Sequence, residues 1–186
     1  ENFKDNLKII NNQIKQIGNL VNEFSDFARM PKPTLRKNNL VNLLKENIKL
    51  LKELDNSIEI DLSSNSEKII LNSDKEQISR VFLNLIKNSI ESIQQKTEND
   101  SNFNKKITIE LMENDGHINL VIVDNGIGFG KFSENIKDIL NPYFTTKKNG
   151  TGLGLSIVNK IINDHNGKIE FIPRNDGAEI KINFIK

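Results

Sequence analysis

The 186-residue chain has no cysteine, which excludes a disulfide framework and a thiolate metal centre and fits a reducing compartment. It has no excess of either charge: 26 basic and 25 acidic side chains leave a formal net charge of +1. Overall charge therefore points neither to nucleic acid nor to an anionic membrane, and any basic function must be local. No apolar run approaches the roughly 20 residues that a membrane-spanning helix needs. The opening Glu1-Asn2-Phe3-Lys4 has neither an apolar signal core nor an initiator methionine, so the expectation is a soluble piece of a longer protein. The length suits one well-buried domain with an appendage.

What is present begins with a seam. Leu7, Ile10, Ile14, Ile17, Val21, Phe24 and Ala28 recur at alternating spacings of three and four, with Ile9, Leu20 and Phe27 widening the stripe. This places them on one face of a helix patterned like a coiled coil. Met30-Pro31-Lys32-Pro33 stops it, because proline cannot extend a helix. Such a face needs covering, by a helix outside the domain or by the domain itself.

Beyond the breaker the pattern is mixed. Helices are predicted over 41–54, 74–95 and 153–164, with Asp74 as an N-cap, and strands over 58–62 and 68–71. Two hairpins are predicted, 106–113 with 117–124 around Asn114-Asp115-Gly116, and 168–172 with 178–184 around Asn175-Asp176-Gly177. This order indicates an α/β sandwich, one layer of helices on a mixed, mostly antiparallel sheet.

Three segments carry candidate chemistry. Asn84 and Asn88 are four apart on the long helix, so their amides project from one face about a turn from each other. Neutral amide oxygens suit Mg²⁺ when phosphates supply most of the balancing charge. Two solvated asparagines would look the same in isolation. Asp124-Asn125-Gly126-Ile127-Gly128 follows a strand; its carboxylate could accept from the exocyclic amine of adenine, and its glycines would let a flat ligand approach. Alone, Asp-Asn-Gly is more often a turn.

Gly150-Thr151-Gly152-Leu153-Gly154-Leu155-Ser156 opens a helix with several free backbone N–H groups, a candidate phosphate cradle. It is neither a Rossmann nor a P-loop pattern. Between the last two segments, residues 129–149 have the length of a lid. Pro142-Tyr143-Phe144-Thr145-Thr146-Lys147-Lys148 there sets hydroxyls and ammonium groups beside the glycines.

In this order and spacing the segments resemble the N, G1, F and G2 boxes of the histidine-kinase branch of the superfamily that includes gyrase, the 90-kDa heat-shock chaperone and MutL. The resemblance covers residues 34–186 and implies the Bergerat-type ATP-binding sandwich, with ATP between the N-box helix and a mobile lid. It implies Asn88 as the Mg²⁺ ligand, Asn84 as its neighbour, and Asp124 as the adenine anchor, with Gly126 and Gly128 admitting the base. The lid residues Phe144, Thr146 and Lys147 and the loop Gly150, Thr151, Gly152, Leu153 and Gly154 are implied to surround the phosphates.

Relatives that hydrolyse ATP carry a glutamate where this chain has Asn84, and a neutral amide cannot act as a general base near neutral pH. The resemblance therefore implies transfer of the γ-phosphoryl group to a histidine rather than to water. Glu23-Phe24-Ser25-Asp26-Phe27-Ala28-Arg29-Met30-Pro31-Lys32-Pro33 resembles the end of the second dimerisation helix in NtrY-type nitrogen-regulation sensor kinases. This implies that residues 1–33 are part of a dimerisation helix and 34–186 the catalytic domain.

Implied partners are a second copy of the kinase and a response regulator; neither nucleic acid nor direct membrane contact by these residues is expected. The implied setting is the cytoplasmic part of a membrane-anchored bacterial sensor. Two departures stand out. Glu91 replaces a basic residue found in many such kinases, and neither His117 nor His165 has the neighbours of a phosphoacceptor motif, so the chain is expected not to phosphorylate itself. Rival readings are an anti-sigma-type protein-serine kinase on the same fold and a non-catalytic, nucleotide-gated interaction module.

Overall fold

The structure, a computed structural model, describes residues 2–53, 55–97, 103–130, 136, 138–145 and 150–186. The side chain of Phe27 and the lid residues Thr146 and Lys147 lie outside the described residues.

Helix α1 (Asn2–Ala28) ends just before the proline pair, as its sequence requires. Strand β1 (Arg36–Asn39) runs into helix α2 (Leu40–Lys52), which Asn39 caps by accepting from the Val41 N–H at 3.1 Å. Strands β2 (Glu59–Ser64) and β3 (Ile70–Ser73) lead to the long helix α3 (Lys75–Thr97). The hairpin of β4 (Lys106–Asn114) and β5 (His117–Asp124) follows, then helix α4 (Gly154–Asp164) and the hairpin of β6 (Gly167–Pro173) and β7 (Ala178–Ile185).

Five strands form one sheet in the order β2-β4-β5-β7-β6. Only the β2–β4 pair is parallel. Alternation decides which side is covered: Ile107, Ile109 and Leu111, Ile118, Leu120 and Ile122, and Ile180, Ile182 and Phe184 are all buried, while the residues between them are more accessible. Against this face pack Val81, Phe82, Leu85, Ile86 and Ile93 of α3, with Leu40 and Leu44 of α2 and Ile157, Val158, Ile161 and Ile162 of α4. The result is the two-layer α/β sandwich anticipated from the pattern.

One element was not foreseen. β1 pairs antiparallel with β3 in a separate two-stranded sheet, Arg36 opposite Ser73 and Asn39 opposite Ile70. Its sequence, Arg36-Lys37-Asn38-Asn39, has no β-branched residue and no apolar alternation, so only its partner makes it a strand.

The junction between α1 and the sandwich is held by backbone groups. The Thr34 N–H donates to Asp74 Oδ2 at 2.8 Å and Gln77 Nε2 donates to the Pro31 carbonyl at 3.1 Å. Asp74 caps α3 by accepting from the N–H groups of Glu76 and Gln77, both at 3.1 Å. His165 is buried at the end of α4: its Nε2 accepts from the Asp74 N–H at 3.0 Å, and its Nδ1 lies 2.8 Å from the Ile161 carbonyl. One ring nitrogen accepts and the other must donate, so the imidazole is neutral.

Candidate nucleotide site

α3 organises the site because its two ends and one flank meet each chemistry-bearing segment. Asn84 and Asn88 sit half-buried on this helix. The Asn84 amide turns back on its own helix, donating from Nδ2 to the Arg80 carbonyl at 2.9 Å. Its Oδ1 lies 3.2 Å from where a Cβ on Gly154 would stand, so the N-box helix and the glycine loop are in contact at this point. Lys87 and Glu91, four residues apart on the same helix, pair across a turn at 3.8 Å.

Asp124 closes β5 with only 4% of its surface exposed. Its Oδ1 accepts from the Gly126 N–H at 2.9 Å. Burial pushes its carboxyl above the ordinary range, against the downward pull of the Gly126 N–H, the Ser89 hydroxyl, the Ala178 N–H and the charge of Lys96. The Ser89 hydroxyl faces this carboxylate closely enough to act on it. Yet it makes no hydrogen bond of ordinary geometry among the described residues, and neither does the buried hydroxyl of Ser92 one turn later. Buried polar groups are normally satisfied, so a carboxylate beside hydroxyls without ordinary partners is a candidate position for a polar ligand. Sequence reasoning missed both serines, because an isolated serine in a helix carries no signal of its environment.

The glycines are there for close approach. A Cβ on Gly126 would stand 2.3 Å from Ser92 Oγ and 2.6 Å from the Ser92 backbone carbon. Gly128 takes φ +65° with the Gly177 carbonyl oxygen 2.4 Å from its Cβ position. The turn after β5 is thereby pressed onto both α3 and the β6–β7 hairpin.

At the start of α4, Leu153 occupies the N-cap position without a side-chain cap, its own side chain being fully buried. The Thr151 hydroxyl accepts from the Leu153 N–H at 3.4 Å. Leu153 therefore contributes anchoring and backbone rather than a side-chain contact. An 11-residue helix lacking a cap beside a glycine run leaves N–H groups suited to an anion.

The lid is tied at its base. Ile139 is buried, and Ile136, Leu140 and Phe144 pack against the core. Tyr143 takes φ +69°, donates its N–H to the Gly152 carbonyl at 3.0 Å, and leaves no room for a Cβ on Gly152. Its ring stacks with Phe24 of α1 at 6.4 Å between centroids.

A cluster of three or more His, Cys, Asp or Glu fit to hold a metal is absent among the described residues. The donor set on α3 is two neutral amides, which fits a magnesium ion whose charge is balanced mainly by phosphate oxygens. Two separated stretches, one with a buried acceptor and one with an uncapped helix start, thus converge on the helix that carries the neutral amide oxygens. Together they define a nucleotide-binding α/β sandwich.

Comparison with known proteins agrees. Residues 73–185 match the family model described as Histidine kinase-, DNA gyrase B-, and HSP90-like ATPase. The chain is 35% identical over 185 residues to an NtrY-like sensor histidine kinase of Rickettsia felis, covering 99% of this chain and 30% of that protein. It is 33% identical over 172 residues to the nitrogen regulation protein NtrY of Azorhizobium caulinodans, covering 91% and 22%.

Among solved structures, the catalytic domain of histidine kinase ThkA in a nucleotide-free form superposes with TM-score 0.69 at 29% identity, covering 82% of this chain and 95% of that one. ThkA in complex with the response regulator protein TrrA gives TM-score 0.75 at 25% identity, covering 100% and 52%. The chain belongs to the Histidine kinase-, DNA gyrase B-, and HSP90-like ATPase family, and over nearly its whole length it is similar to NtrY-like sensor histidine kinases. It spans under a third of the length of these NtrY-like relatives.

Proposed function

We propose that this domain binds magnesium-ATP and directs its γ-phosphoryl group to a histidine supplied by polypeptide outside these 186 residues. The observation that carries the reading is the convergence on α3: Asn84 against Gly154, and Gly126 against Ser92 beside the buried Asp124.

In this reading Asp124 accepts from the adenine amine, and Gly126 and Gly128 let the base lie close to the backbone. The N–H groups of the Gly150 to Gly154 loop, with Thr146 and Lys147 from the lid, hold the phosphate oxygens. Asn88 holds Mg²⁺ with Asn84 beside it; the ion, when bound, offsets charge on the phosphates. Asn84 lacks the basicity to activate water, so the site positions a phosphoryl group for an incoming imidazole rather than hydrolysing it.

Residues 1–33 act as a dimerisation helix and 34–186 as the catalytic domain. A second copy of the chain covers α1, whose Ile14 and Ile17 are 61% and 62% exposed. A response regulator receives the phosphoryl group from the histidine. The parent protein is a membrane-anchored sensor with this part in the cytoplasm. No helix among the described residues is long and apolar enough to cross a membrane.

Calorimetry with ADP and Mg²⁺ tests binding, and γ-labelled ATP tests transfer. The expected result is nucleotide binding with no label retained on this chain, and acid-labile label once a polypeptide bearing the acceptor histidine is joined to α1. Label stable on the isolated chain, or none after joining, would overturn the reading.

A further inference from the structure

We infer that Lys96 is a positioning residue for the base-anchoring carboxylate, a clamp that holds Asp124 where a nucleobase amine can meet it. The inference rests on the nucleotide-site reading above and deepens it.

Lys96 lies in the last turn of α3 with 28% of its side chain exposed. A lysine there is favourable for any helix, since the C-terminal carbonyls carry partial negative charge. That general role does not require what its ammonium does here. It donates to the Asn125 carbonyl at 2.8 Å, directly after Asp124. It pairs with Asp176 in the turn between β6 and β7. It also stands over the Phe103 ring, 4.4 Å from the centroid, on the segment leading into β4. Three pieces of chain far apart in sequence are thus gathered by one cation.

All of these pieces border Asp124. Gly177, next to Asp176, takes φ +103°, and a Cβ there would stand 1.8 Å from the Asp124 carbonyl oxygen. The hairpin turn is therefore packed on the anchor's own backbone. Asn125 fixes the other side: its Oδ1 accepts from the Lys106 N–H at 2.9 Å and its Nδ2 donates to the Asn104 carbonyl at 2.7 Å.

An exposed ion pair alone contributes little, and Asp176 is 71% exposed. The weight falls on the carbonyl and ring contacts, which set the backbone, and on the positive charge close to a buried carboxylate. The groups facing that carboxylate are Ser89 and Lys96 from α3, the Gly126 N–H from its own loop and the Ala178 N–H from β7. Among them only Lys96 carries charge, with Asp176 on its far side.

The experiment measures ADP affinity of the full 186-residue chain, parent, Lys96→Met and Lys96→Arg, as a function of pH, with thermal melts alongside. Lys96→Met is expected to bind ADP roughly three- to tenfold more weakly near neutral pH, the scale of one ordinary hydrogen bond. Its acid loss of binding should shift to higher pH, because removing a cation disfavours the ionised acceptor. Lys96→Arg should restore both.

A merely structural lysine would weaken binding equally at every pH and lower the melt in proportion. That result, or unchanged affinity in Lys96→Met, overturns the inference. If the parent chain itself fails to bind ADP, the nucleotide-site reading falls and the inference falls with it, whereas failure of the variants alone leaves that reading standing.

Discussion

Asp124 sits in a site poised between stability and binding. Its folded pKa is raised, chiefly by burial. A group raised in this way contributes its stability below the unfolded pKa and loses it as pH rises through the folded value. Wherever it is ionised, the carboxylate therefore weighs against the ligand-free fold while providing the acceptor a base amine requires. Asp124→Asn keeps an acceptor for the Gly126 N–H and removes the charge. It should weaken ADP binding about tenfold or more, with a thermal midpoint at pH 7 no lower than the parent's. Its stability relative to the parent should decline as pH is lowered through the carboxylate range. Unchanged calorimetric affinity would remove Asp124 from the base site. The aspartate was legible as a candidate from its place after a strand and before two glycines; its burial and the unsatisfied Ser89 and Ser92 hydroxyls were not. Those follow from α3 lying across the end of β5, a contact between residues far apart in sequence.

At the scale of elements, the junction of α3, α4 and the segment entering from α1 depends on Asp74 and His165. Burial alone would raise the Asp74 carboxyl, but the N–H groups of Thr34, Gln77 and Glu76 outweigh it and hold the pKa below the ordinary value. Depressed in the fold, this group contributes stability above its unfolded pKa and loses it as pH falls through the folded pKa. Asp74→Ala should lower stability by about 1–2 kcal/mol at neutral pH, the usual worth of an N-cap. Denaturant melts should show that gap closing as the medium becomes acidic. A gap that persists in acid would mean that Asp74 acts through packing instead. Asp74 as a cap was readable because capping is local, a side chain meeting N–H groups two and three residues ahead. The bond from its own N–H to His165, 91 residues away, was not.

For the whole molecule, the separation of α1 from the sandwich governs assembly. Leu7, Ile10, Ile14, Ile17, Val21 and Phe24 remain exposed on this helix, and the Phe24–Tyr143 stack is its aromatic contact with the lid. An apolar stripe of this length favours a partner helix. Replacing Ile14 and Ile17 with glutamate should therefore convert a concentration-dependent dimer to monomer in sedimentation, with ADP affinity changed less than twofold. The two measurements address different parts of the chain: one tests α1 as an association surface, the other tests whether residues 34–186 bind nucleotide without help from it. A parent chain that stays monomeric at high concentration would argue against the second copy as the cover for α1.

Local periodicity determined the helices, the two hairpins and the spacing of Asn84, Asn88, Asp124 and the 150–154 glycines, because each depends on neighbours within a few residues. It also determined that α1 ends at the prolines. The tertiary structure decided the rest: the pairing that turns the polar β1 into a strand, the neutral His165 bridge between helices, and the glycines that must lack a Cβ because another backbone lies there. It alone brought Gly154 to Asn84, Ser92 to Gly126 and Lys96 to Asn125, Asp176 and Phe103. Contacts of this kind depend on how the α3 layer sits on the sheet, and no pattern confined to one segment encodes them.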